Sequence, residues 1–111
     1  MSSKASKTIK TGLVQQQNSS NIEENIQKLI KGIEECAKGG AELVVLQELH
    51  NSLYFCQTEN PDVFDLAESI PGPSTQRFGE VAKKHGIVLV SSLFERRAPG
   101  LYHNTAVVFE K

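Results

Sequence analysis

Glu48 stands out because of the residues in front of it. Leu43, Val44, Val45 and Leu46 form a short unbroken apolar run of the kind that makes a strand buried on both faces of a parallel sheet. Such a strand has no place for an acid in its middle, but the crevices that hold ligands in open α/β sheets lie just beyond strand carboxyl ends. Glu48 falls there, and the loop after it carries Tyr54, Phe55, Cys56 and Gln57. A carboxylate in that position, walled by aromatics, is a candidate general base whose pKa is raised by partial desolvation. The alternative is a solvated acid that simply ends a strand. His50 and Tyr54 border the same expected pocket and are candidate substrate contacts by proximity, with ordinary loop packing as the alternative.

Other chemistry is poorly provided for. A thiolate needs a nearby cation, and no Lys or Arg lies between Gly40 and Gln76, so Cys56 reads as a loop residue packed near the pocket. Cys36 reads as a small hydrophobe on the apolar face of a helix. His50, His85 and His103 are far apart in sequence, and neither GxxxxGK[ST] nor GxGxxG is present. No metal and no cofactor are expected. Glu95 is a second acid at an expected strand end, Arg96 and Arg97 read as solvated, and Asn104 is assigned to strand or turn hydrogen bonding.

The elements that must position Glu48 follow from hydrophobic spacing. Residues 1–7 read as a disordered lead-in. Thr8 to Gln16 supplies a first strand, with Gly12 permitting close approach of a neighbour. Ser20 and Glu23 have the form of a capping box, and apolar residues at 22, 26, 29, 30, 33, 36 and 37 make one helical stripe that Gly39 and Gly40 end. With the Leu43 to Leu46 strand this is a βαβ unit, whose two strands lie parallel. The segment from Leu49 to Thr75 lacks periodicity, apart from a possible helical turn at 62–68. Ser74 or Thr75 then caps a second helix, which His85 and Gly86 close. Ile87 to Phe94 and Tyr102 to Phe109 are two further strands, and Pro99-Gly100 between them signals an antiparallel hairpin. The order β-α-β-loop-α-β-β predicts a layered α/β fold.

Composition narrows the function. The chain has 111 residues, 39% hydrophobic and 23% charged, which suits one globular domain or part of one. Twelve Lys and Arg against 13 Asp and Glu leave a net charge of -1, with no footprint for nucleic acid or an anionic membrane. The first residues lack the apolar core of a secretory signal, so a cytoplasmic protein is the default expectation.

Several segments together resemble the carbon-nitrogen hydrolases of the nitrilase superfamily. They are ELVVLQEL around Glu48, YFCQ at Tyr54 to Gln57, AESIPGPST at Ala67 to Thr75, and SLFERR with the later YHNTAVVF. LQEL followed by YFCQ is similar to the N-carbamoylputrescine amidase branch. The resemblance implies a four-layer αββα sandwich, of which residues 8–111 supply the first strands and helices as the amino-terminal part of a single domain. It implies a Glu, Lys and Cys mechanism on a small-molecule substrate, in which N-carbamoylputrescine is cleaved to putrescine, CO2 and ammonia. It also implies a homo-oligomer when complete. Only the Glu carries over, onto Glu48; the family's Lys and Cys fall downstream of Lys111, so this chain alone is not expected to turn over. Another amidase of the superfamily, or a non-catalytic α/β module whose open sheet edge pairs with a partner, are the alternatives.

Overall fold

A computed structural model describes residues 8–52 and 66–111. Tyr54, Phe55, Cys56 and Gln57, most of the 62–68 segment and the 1–7 lead-in lie outside the described residues. The elements run β1 (Thr11–Val14), α1 (Ile22–Lys38), β2 (Leu43–Leu46), α2 (Pro73–His85), β3 (Val88–Ala98) and β4 (Leu101–Phe109). The sheet order is β1-β2-β3-β4, with the first two pairings parallel and β3-β4 an antiparallel hairpin. The expected βαβ unit and hairpin are both present. No helix among the described residues is long and apolar enough to cross a membrane.

Helix α1 forms where the apolar stripe begins, one residue later than the Ser20 capping box would place it. Asn21 is the cap, and its side chain accepts from the backbone N–H of Glu24 at 3.0 Å. Asn and Ser cap about equally well, so the local sequence does not discriminate between adjacent positions. Glu23, freed from a capping role, instead receives both terminal nitrogens of Arg77 on α2 at 2.8 Å each, which holds its carboxyl down at about pKa 2. This pair ties the two helices at the surface, where screening keeps its contribution small. Helix α2 is likewise not capped by Ser74 or Thr75. Pro73 occupies its first turn, where a missing N–H costs nothing, so Gly72 becomes the cap; its N–H donates to Thr75 Oγ1 at 2.6 Å and that hydroxyl donates back to Gly72 O at 2.9 Å.

Both helices cover the same face of the sheet. Ile26, Leu29 and Ile33 of α1 and Phe78 and Ala82 of α2 share one core with Val14, Val44, Leu46 and Leu89. Gly12 is what lets α1 lie so close: a Cβ there would stand 2.6 Å from Cys36 Sγ and 2.7 Å from Cys36 Cβ. Among the described residues, no helix lies on the opposite sheet face. Leu13, Val45, Val90 and Val108 are successive register partners across all four strands, and Leu13 and Val108 are 75% and 60% exposed. One α layer on one β layer is half of the four-layer sandwich expected.

His50 also belongs to the core. It is fully buried, its ring edge meets Phe78 with centroids 5.0 Å apart at 70°, and its Nε2 lies 2.6 Å from Ser91 Oγ. Burial pushes its pKa down from 6.5 to about 4, against a weaker opposing pull from the Asn51 side chain. A neutral ring is therefore part of the folded state.

Two stability outcomes follow from this packing. Gly12→Ala should lower unfolding stability by about 1–3 kcal/mol in urea titration, because the added methyl meets Cys36; an unchanged midpoint would show that α1 can move away freely. For His50, the unfolded ring takes a proton as pH falls through 6.5 while the folded ring resists until about 4. Stability is thus complete above pH 6.5 and declines on acidification toward pH 4, by about 3 kcal/mol in all. Urea midpoints for wild type should fall more steeply over that window than those for His50→Gln; parallel curves would contradict a buried neutral imidazole.

Candidate active site

The chain leaves β2 at Leu46 and turns at once through residues 48–51. Leu49 adopts φ 49°, the left-handed region that costs a residue with a Cβ about 1–2 kcal/mol. Its side chain is 3% exposed, and burying a leucine contributes about 1.5–3 kcal/mol, so packing offsets the backbone strain. Within the described residues, Glu48 stands just before this bend with its side chain exposed. The turn therefore buries Leu49 and His50 and leaves Glu48 on the outside.

Polar side chains from three directions fix the turn. From the β1–α1 connection, Asn18 Nδ2 donates to His50 O at 2.7 Å and to Ser52 O at 2.8 Å. From α1, the fully buried Asn25 donates to Asn51 O at 3.1 Å and to Ser19 O at 2.8 Å, while its Oδ1 accepts from Ser19 N at 2.9 Å. From β3, two consecutive serines reach the turn from opposite faces of the sheet, as the alternation of a strand requires. Ser91 meets the His50 ring, and Ser92 Oγ accepts from the Leu49 N–H at 3.0 Å. Backbone groups that a sharp turn strips of regular partners are thereby satisfied by side chains.

The turn also connects to the amino terminus of α2. Asn51 Nδ2 donates to Ser74 Oγ at 2.8 Å, and that hydroxyl donates to Glu68 Oε2 at 2.8 Å. The other carboxylate oxygen of Glu68 accepts from Ser74 N at 2.8 Å, so a negative group sits at the positive end of the helix. Backbone bonds from Glu68 N to Phe94 O and from Arg96 N to Glu68 O lock the segment onto β3. A cleft of about 150 Å³ opens among Leu49, Asn51, Ser52, Glu68, Ser92 and Phe94, next to the bend that carries Glu48.

The residues singled out from sequence are distributed unevenly about this cleft. Glu48 is at the strand end as expected, but the described residues leave it exposed, and the aromatic wall invoked for its desolvation lies in the undescribed 53–65 segment. His50, expected to line the pocket for substrate contact, instead turns into the core, because Ser91 and Phe78 offer its ring a buried seat. Tyr54 and Cys56 lie outside the described residues. Glu95 is not at a strand end: β3 continues to Ala98, and Glu95 accepts from Thr105 Oγ1 at 2.7 Å across the hairpin. Cys36 packs half-buried against the core, Arg96 and Arg97 are exposed, and Asn104 serves a strand-to-strand hydrogen bond from Ser92 Oγ at 3.1 Å. No group of three His, Cys, Asp or Glu residues suited to a metal ion occurs among the described residues.

Asn18, Asn25, Glu68, Ser91 and Ser92 were not singled out from sequence. The paired serines inside the apolar run of β3 were the available signal, since hydroxyls buried in a strand need a partner.

An exposed carboxylate on a rigid turn at a strand end can accept a proton from a group brought against it. Comparison with known proteins places the chain in a family. The carbon-nitrogen hydrolase family model matches residues 10–111. The chain is 38% identical over 101 residues to a citrullinase of Francisella tularensis, covering 90% of this chain and 35% of the relative. It is 39% identical over 102 residues to omega-amidase NIT2 of Mus musculus, covering 92% and 36%. It is 35% identical over 86 residues to an N-carbamoylputrescine amidase of Oryza sativa, covering 77% and 29%. Among solved structures, a carbon-nitrogen hydrolase from Helicobacter pylori superposes with a TM-score of 0.80 at 40% identity, over 92% of this chain and 35% of that one. The chain thus spans about a third of the length of the first two relatives and of that structure. With the family model matched over residues 10–111 and its α/β fold shared with a solved member, this chain belongs to the carbon-nitrogen hydrolase family of the nitrilase superfamily.

Proposed function

We propose that the protein to which this chain belongs is an amidase that hydrolyses the ureido C–N bond of N-carbamoylputrescine, with Glu48 as its general base. The observation that carries the reading is the placement of Glu48: an exposed carboxylate at the end of a parallel strand, on a turn that buried side chains fix beside a cleft. In the mechanism, Glu48 withdraws the proton of a cysteine thiol supplied from outside this chain as the sulfur attacks the ureido carbon. It returns a proton to the departing nitrogen and then activates the water that releases the acyl group. A lysine, also supplied from outside these residues, stabilises the negative oxygen. Splitting the hydrolysis through a thioester divides one slow step into two faster ones. The reading extends to a small-molecule substrate, homo-oligomeric assembly and a cytoplasmic setting.

The choice of ureide rests on LQEL followed by YFCQ and on the likeness to the rice enzyme. Citrulline, also a ureide, and an omega-amide are the competing substrates, supported by the likeness to a citrullinase and to an omega-amidase. Ammonia release should be measured for a protein of the relatives' length that contains this chain, with all three substrates. N-carbamoylputrescine should give the highest kcat/KM, and Glu48→Gln should lower kcat by about 10²–10⁴-fold with the thermal midpoint unchanged. Preference for citrulline or an omega-amide would reassign the substrate; full activity in Glu48→Gln would defeat the base assignment.

A further inference from the structure

We infer that Ser92 is a positioning residue for the reaction: its hydroxyl, oriented by Asn104, fixes the left-handed bend at Leu49 and so aims the Glu48 carboxylate. The inference rests on the assignment of Glu48 as base. Glu48 is exposed, and the backbone that carries it decides where its side chain starts from. The following residue has φ 49°, and that conformation is held at its own N–H by Ser92 Oγ at 3.0 Å. This N–H belongs to the peptide unit that joins Glu48 to Leu49. A change in φ at Leu49 redirects the chain on one side of this peptide relative to the other and so alters where Glu48 stands relative to the turn, and the Ser92 hydrogen bond opposes that change.

The hydroxyl is itself directed. Having accepted from Leu49, it donates to Asn104 Oδ1 at 3.1 Å on β4. Ser92 lies on the sheet face away from the helices, whereas Ser91, its neighbour, turns to the helix side and contacts His50. The two serines therefore have separable roles: Ser91 packs the turn into the core, and Ser92 sets the plane of the peptide beside the carboxylate. Ser92 and Leu49 both line the cleft, so the hydrogen bond that holds the bend is part of the cleft wall. Displacement of a reacting group by about 1 Å can cost about 10²-fold in rate, which is the scale on which one such hydrogen bond matters.

The test uses a protein of the relatives' length containing this chain, assayed for ammonia release. Ser92→Ala should lower kcat by about 10- to 100-fold and leave KM within about twofold, since binding is not what the hydroxyl governs. Ser92→Thr restores the acceptor and should return kcat to within about threefold of wild type. If Ser92→Ala fails to fold by circular dichroism, Asn104→Ala is the second probe: it frees the hydroxyl's direction from an exposed position and should lower kcat with KM unchanged. Asn104→Asp retains an acceptor and should stay near wild type. Equal impairment of the Ala and Thr variants at Ser92, or a loss carried by KM alone, would overturn the inference. A fully active Ser92→Ala alongside an inactive Glu48→Gln would overturn it alone and leave the base assignment standing. An active Glu48→Gln would remove the base assignment and this inference together.

Discussion

The bend at Leu49 is the constraint on which the rest of the site depends. A leucine in left-handed conformation persists only where its surroundings over-determine it. Here the side chain is buried, the N–H is held by Ser92, the next carbonyl is held by Asn18, and the next ring is seated against Ser91 and Phe78. Any one of these bonds is worth about 1 kcal/mol net. Together they fix a single path for the chain out of β2, with hydrophobic burial on one side of the turn and an exposed carboxylate on the other.

The fold supplies those partners through two separate routes. Parallel pairing of β1 with β2 brings the β1–α1 connection alongside the turn, so that Asn18 and the buried Asn25 can reach its carbonyls. Parallel pairing of β2 with β3 carries Ser91 and Ser92 to the end of the shorter strand, where both hydroxyls meet the turn and that of Ser92 also reaches Asn104 on β4. The length difference between β2 and β3, four residues against eleven, leaves most of β3 to wall the cleft and to pair with β4. The apolar row of Leu13, Val45, Val90 and Val108 marks the opposite face as a layer boundary. Against the αββα sandwich that the sequence resemblance implies, the described residues account for one α layer and one β layer.

Much of the scaffold was legible in the sequence. The stripe from Ile22 to Ala37, ended by Gly39, gave α1 almost to the residue, the apolar run from Leu43 to Leu46 gave β2, and Pro99-Gly100 gave the hairpin turn. Gly12 was correctly tied to close packing, which Cys36 supplies. The caps were displaced, to Asn21 from Ser20 and to Gly72 from Ser74 or Thr75, because neighbouring residues were competent and small differences in chain direction decided between them.

What the sequence determined by itself is the set of properties encoded within a few residues: the elements, their order, and the arrival of Glu48 just after an apolar strand, which is buried on its helix face and half-buried on the other rather than buried on both. Periodicity and turn chemistry are local, so they survive without knowledge of the fold. Only the tertiary structure decided which polar side chains are structural and which remain available. His50 and Ser91 are 41 residues apart, and Leu49 and Ser92 are 43 apart. Whether a histidine faces a pocket or a core depends on the direction of one bend, and that direction is fixed by hydroxyls and amides that sheet pairing brings from elsewhere in the chain.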